Sequence, residues 1–84
     1  MKLTILTTGV KKPIFVDDDG NPLPTGIGMR LFRQETGFTA KELARATGAS
    51  VRTVNGWYAG RRPTGWAMQQ MAHILEAHRL LSNK

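Results

Sequence analysis

The chain has 84 residues, 12 lysines and arginines against 6 aspartates and glutamates, a formal charge of +6 and no cysteine. That length holds one small domain with a modest core, the missing thiols exclude a disulfide framework and a thiolate metal site, and no apolar run is long enough to span a bilayer. The charge excess points to a polyanion, with nucleic acid ahead of an acidic membrane surface.

Residues 1–24 form a β-rich arm. "KLTILTT" alternates apolar and polar, with Leu3 and Ile5 on one face, and "PIFV" is a second short β-rich run. "DDDGNPLPTG" is dense in turn formers. One or two short strands are expected, a hairpin among the arrangements, with Pro13 suited to a strand start or an edge. So small a sheet does not stand alone, so it lies on the helical body or pairs with another chain. The start "MKLTILTTGVKK" lacks the apolar stretch and cleavage site of a signal peptide, which sets a cytoplasmic expectation.

Residues 25–84 turn to helical periodicity. Thr25 is placed to cap a first helix through about Thr36, with Met29 and Phe32 inward and Gly37 as its stop. Thr39 opens a second helix, 40–47, and Glu42 three residues later has the capping-box spacing. Leu43, Ala44 and Thr47 are its inward stripe, and Gly48 stops it. Ser50 caps a third helix, 51–59, ended by Gly60. Pro63 and Thr64 introduce the longest helix, 65–81, whose core stripe is Ala67, Met71, Ile74, Leu75 and His78.

Two short helices joined by "GAS" form the pattern that carries function. Gly48 supplies the freedom the tight turn needs, Ala44 is small at the crossing, and Val54 and Trp57 face inward. At about 100° per residue, the opposite side of the third helix presents Arg52, Asn55, Gly56 and Ala59, with Val51 on the edge. Arginine bonds guanine bidentately, asparagine does the same to adenine, and valine fits a thymine methyl. As isolated residues, Arg52 and Asn55 would be ordinary solvated surface. Gly56 weakens the helix by roughly 1 kcal/mol relative to alanine. A glycine facing outward lets the backbone approach base edges; the other reading is a weak point that the fold absorbs.

The stretch "FRQETGFTAKELARATGASVRTVNGWYAGRRP" resembles the phage-repressor and Cro-like (Xre-type) helix-turn-helix family. Phe32-Arg33 ahead of Gly37, Leu43-Ala44, Gly48, Val54, Trp57, Gly60 and Pro63 carry the resemblance, which covers about residues 26–76. It implies a mostly α fold: a four-helix, lambda-repressor-like core, with the short β-containing arm outside it. It implies binding of double-stranded DNA, with base contacts at Val51, Arg52, Asn55 and Gly56. Phosphate donors are expected around them: Thr39 and Ala40 through a helix N-terminus, then Ser50, Thr53 and Tyr58, then Arg61 and Arg62. Arg61 and Arg62 also suit the negative end of the third helix. Lys41 and Arg45, four apart on the second helix, repel mildly unless an anion lies between them. In many relatives an arginine matching Arg33 pairs with a glutamate; here the partner position holds Tyr58. Stacking on Tyr58, another carboxylate or a phosphate all remain open for Arg33.

Beyond this core, Trp66, His73 and Leu80 fall seven apart on another face of the long helix, with Ala77 beside them. They are expected to join two copies into a homodimer, or else to cover the arm within one chain. "DDDGN" is a polar turn: the twelfth position from Asp17 is Gly28, where a calcium loop requires glutamate. His73 and His78 point to different faces, so no metal is expected, and Trp66, Met68 and Met71 read as packing, not as a cofactor box. No nucleophile–base pair, carboxylate pair or phosphate loop supports an enzyme. The expected role is a sequence-specific transcriptional regulator, a repressor because steric occlusion needs no activation domain. The rival is a protein-interaction module such as an antitoxin. RNA is disfavoured because the motif exposes no aromatic stacking platform.

Overall fold

The computed structural model describes residues 2–9 and 11–82; Met1, Val10, Asn83 and Lys84 of the two expected segments lie outside the described residues. The element order is β1 (Thr4–Leu6), β2 (Ile14–Val16), α1 (Thr25–Thr36), α2 (Ala40–Thr47), α3 (Val51–Tyr58) and α4 (Gly65–Ser82). β1 and β2 form an antiparallel hairpin with Ile5 opposite Phe15, and Val16 makes a further bridge to Pro22. The hairpin folds onto its own chain. Leu3, Ile5 and Phe15 are buried in one core with Met29, Phe32, Leu43, Val54, Trp57, Met71 and Leu75.

Gly28 makes this docking possible. A Cβ built there would stand 2.3 Å from Phe15 Cγ, closer than any real contact. The aromatic ring therefore occupies the space a side chain on α1 would fill, and the two-stranded sheet gains a helical floor. The "DDDGN" segment folds as the polar turn expected. Asp17 Oδ1 accepts the N–H groups of Asp19 and Asn21, each at 2.9 Å.

Three local expectations need correction. Thr25 is the first residue of α1, not its cap; Pro24 holds the cap position, its carbonyl accepting the Gly28 N–H and its ring offering no side-chain acceptor. α3 ends at Tyr58 instead of 59. The Ala59 N–H is shared between the Asn55 and Gly56 carbonyls, so the last turn tightens before Gly60 leaves at φ +110°. On α4, which runs one residue further than expected, Met68 joins Ala67, Met71 and Leu75 in the core, while Ile74 and His78 are half-buried at its edge. The inward face is centred on Ala67, Met68, Met71 and Leu75.

Candidate nucleic-acid interface

Positioning begins with caps. Thr39 Oγ1 accepts the Glu42 N–H at 3.1 Å and the Glu42 carboxylate accepts the Thr39 N–H at 2.9 Å, closing the capping box. The Thr39 donors hold the Glu42 carboxyl below the usual glutamate range. With Glu42 and Leu43 N–H satisfied, the N–H groups of Ala40 and Lys41 remain at the open end of α2. Ser50 caps α3 in the same manner, accepting the Thr53 N–H at 3.1 Å, and its hydroxyl lies 2.9 Å from Thr53 Oγ1. Gly48, at φ +76°, turns the chain between the two helices.

The inward sides of both helices are locked. Leu43, Ala44 and Thr47 of α2 and Val54 and Trp57 of α3 are all buried. α3 is thereby fixed in rotation, and its other face is presented outward. Val51 is 42% exposed, and Arg52, Thr53, Asn55 and Ala59 are exposed. Gly56 is half-covered: the Arg61 side chain lies over it, its Cδ 3.4 Å from where a Cβ would be. The Arg61 N–H bonds the Gly56 carbonyl at 2.9 Å, which folds the α3–α4 loop back on the helix. A Cβ at Gly56 would meet this arginine at ordinary contact distance.

Among the described residues the ion pair within 4.0 Å is Glu35–Arg79, away from α3. Arg52, Arg61, Arg62, Lys41 and Arg45 are therefore exposed cations with no carboxylate partner. Arg33 finds no carboxylate either; with Arg30, Gln34 and Tyr58 it lines a surface notch. Tyr58 differs from the other expected phosphate donors. Its hydroxyl is buried and has no hydrogen-bond partner among the described residues.

A family model of the Cro/C1-type helix-turn-helix DNA-binding domain matches residues 29–79. The chain belongs to that family. The match to this Cro/C1-type domain extends from the second turn of α1 into the last turns of α4, and the hairpin lies outside it. The membership makes the chain a DNA-binding protein of the transcription-regulator type. No curated protein and no solved structure matches the chain. Among the described residues no helix is long and apolar enough to cross a membrane.

Trp66 is 63% and Leu80 64% exposed, and His73 and Ala77 are exposed between them. Leu80 and His73 also line a groove against Thr4, Ile5 and Thr7 beside β1. Sequence reasoning missed the ion pair that braces this side. Arg79 Nε donates to Glu35 Oε2 at 2.6 Å and Nη2 to Oε1 at 2.9 Å, and Nη2 also donates to the Leu3 carbonyl. Glu35 and Arg79 stand 44 residues apart, so no spacing rule reaches them.

Proposed function

We propose that this chain is a sequence-specific repressor that inserts α3 into a major groove of double-stranded DNA. The outward face of α3 carries the reading: Arg52 and Asn55 are exposed, Arg52 has no carboxylate partner among the described residues, and Val54 and Trp57 fix the helix. Arg52 bonds a guanine edge, Asn55 an adenine edge, and Val51 packs on a thymine methyl. The exposed Ala59 keeps the helix surface shallow there, and at Gly56 the helix carries no side chain of its own beneath Arg61. Thr39, Ala40, Ser50, Thr53, Arg61 and Arg62 hold the flanking phosphates. Arg30 and Arg33, in the notch beside Tyr58, add two more cations for a phosphate, while the buried Tyr58 hydroxyl is not presented to one. Occlusion of a promoter by the bound domain is itself enough to repress, and the setting is the cytoplasm.

One helix reads few base pairs, so two copies on inverted half-sites are the remedy. Trp66, His73, Ala77 and Leu80 are the surface for that homodimer. The same exposed apolar surface also suits a different protein, as in an antitoxin. Leu80→Glu should yield monomers in analytical ultracentrifugation and weaken binding to paired half-sites far more than to one; a wild type that stays monomeric and needs a second protein to load it would favour the antitoxin reading.

Selection from random duplexes tests the central claim. Arg52→Ala and Asn55→Ala should each cost about 1–3 kcal/mol on the selected site and relax preference at one base pair. Wild-type specificity in both variants would put α3 in the wrong orientation.

A further inference from the structure

The hairpin lies outside the family match, yet its turn carries Lys11 and Lys12, both exposed. Their position is set by the body of the protein. Phe15 is buried against Gly28, the Leu23 N–H bonds the Phe15 carbonyl at 2.8 Å, and Leu6 pairs with Ile14 at the tip end of the ladder. A short stretch of chain therefore connects the lysines to a fixed core position.

That fixed tip abuts the loop leaving α3. Pro13 and Ile14 share a crevice with Arg62 and the buried Pro63. Beside it, Lys11, Lys12 and Pro13 face Arg62, Pro63, Thr64 and Gly65 across a second cleft. Fifty residues of chain separate Lys12 from Arg62. The fold nonetheless gathers the three cations around one opening, with the first residue of α4, Gly65, on its rim.

Nothing inside the protein neutralises this cluster: no carboxylate stands within 4.0 Å of any of the three among the described residues. The nearby acids along the chain are committed at the other end of β2. Asp17 closes its own turn, and Asp18 accepts the Lys2 N–H at 2.6 Å. Three like charges held together by apolar packing beneath them call for an external anion. Because the Arg61 N–H ties the loop to Gly56, the cluster sits just beyond the C-terminal end of α3. A groove that receives α3 has a phosphate strand along that end. Lysine ammonium groups suit phosphate oxygens as point charges, with no demand on base sequence.

We infer that the hairpin turn is a backbone clamp, in which Lys11 and Lys12 together with Arg62 grip the DNA phosphates bordering the groove at the C-terminal end of α3. This rests on α3 being the reading helix. The clamp adds affinity without adding specificity, and gives the hairpin a role in binding besides its role in the core.

The experiment titrates the full chain against a selected duplex and a random duplex by fluorescence anisotropy over a potassium chloride series. Lys11→Ala/Lys12→Ala should make the slope of log affinity against log salt shallower by about 0.9 for each phosphate the lysines no longer neutralise. It should weaken both duplexes by similar factors and leave their ratio unchanged. Lys11→Arg/Lys12→Arg should keep the wild-type slope. Neutral methylphosphonate linkages placed singly along the selected site should reveal a position that weakens the wild type but not the alanine variant. An alanine variant with the wild-type slope, beside a wild type that binds with strong salt dependence, overturns the clamp and leaves the reading of α3 intact. A wild type that binds neither duplex overturns both.

Discussion

Arg79 turns its guanidinium into the molecule, whereas Arg52 carries the same group outward. Arg79 spends its donors on both oxygens of Glu35 and on the Leu3 carbonyl, joining α4, α1 and the segment leading into β1. Among the described residues, Arg52 has no carboxylate within 4.0 Å, and the same is true of Arg61, Arg62 and Arg33. One region uses charge to close the fold; the other leaves it open. The difference lies in what each region has behind it. The hairpin side must hold a two-stranded sheet on a helical body, and a bidentate pair with a third hydrogen bond supplies directional strength there. The α3 side is already held by apolar packing of Val54 and Trp57, so its cations remain available to an anion outside.

The sharpest way to break this comparison is to unseat the hairpin. Phe15→Ala should cost about 3–5 kcal/mol, because it empties a buried aromatic site that also fills the space over Gly28. For a domain of this size that is a large share of total stability. Urea unfolding measures it, and a loss below about 1 kcal/mol would mean that the hairpin is not part of the common core.

A smaller effect compares the two arginines directly. Arg79→Ala should lower stability by about 1–2 kcal/mol, discounted because the side chains of Arg79 and Glu35 are 25% and 29% exposed. Arg52→Ala should change it by less than about 0.5 kcal/mol while impairing DNA binding. Equal losses of stability would erase the distinction. The pair also carries a pH signature. The Arg79 hydrogen bonds, reinforced by the charges of Arg79, His78 and Lys2, hold the Glu35 carboxyl below its ordinary value of 4.5. The unfolded chain therefore takes up that proton first as pH falls. The stabilisation is complete above the ordinary value and is lost as pH drops through the lowered native one. Glu35→Gln should flatten this part of the stability profile in urea titrations at successive pH values.

The smallest effect sits at Gly56. Alanine fits, since the nearest atom to its Cβ is Arg61 Cδ at 3.4 Å and the backbone is helical. Gly56→Ala should raise stability by roughly 0.4–1 kcal/mol, read as a higher melting temperature, while reducing DNA affinity through the added methyl. Greater stability with undiminished binding would show that close approach does not matter at this residue.

The helices and their stops were legible in the sequence because their causes are local. Thr39 and Glu42 cap α2 across three residues, Gly37 and Gly48 adopt the left-handed turn that ends a helix, and Val54 and Trp57 repeat at helical spacing. The candidate reading face followed from the same periodicity, since the side opposite a buried stripe is the side left over. Where neighbours compete, local rules slipped: Thr25 yielded the cap position to Pro24, and the core face of α4 rotated toward Met68.

Long-range pairings were decided by tertiary structure alone. Phe15 over Gly28, Arg79 on Glu35 and the Leu3 carbonyl, and Lys11 and Lys12 beside Arg62 join residues that no period connects. The placement of the hairpin on its own chain, the lid that Arg61 forms over Gly56 and the enclosure of the Tyr58 hydroxyl belong with them. A helix is specified by bonds and side chains within a few residues of one another, so the sequence determines where it starts, stops and turns its apolar side. Which distant side chain fills a given space depends on all the elements packing at once, and only the folded chain decides that.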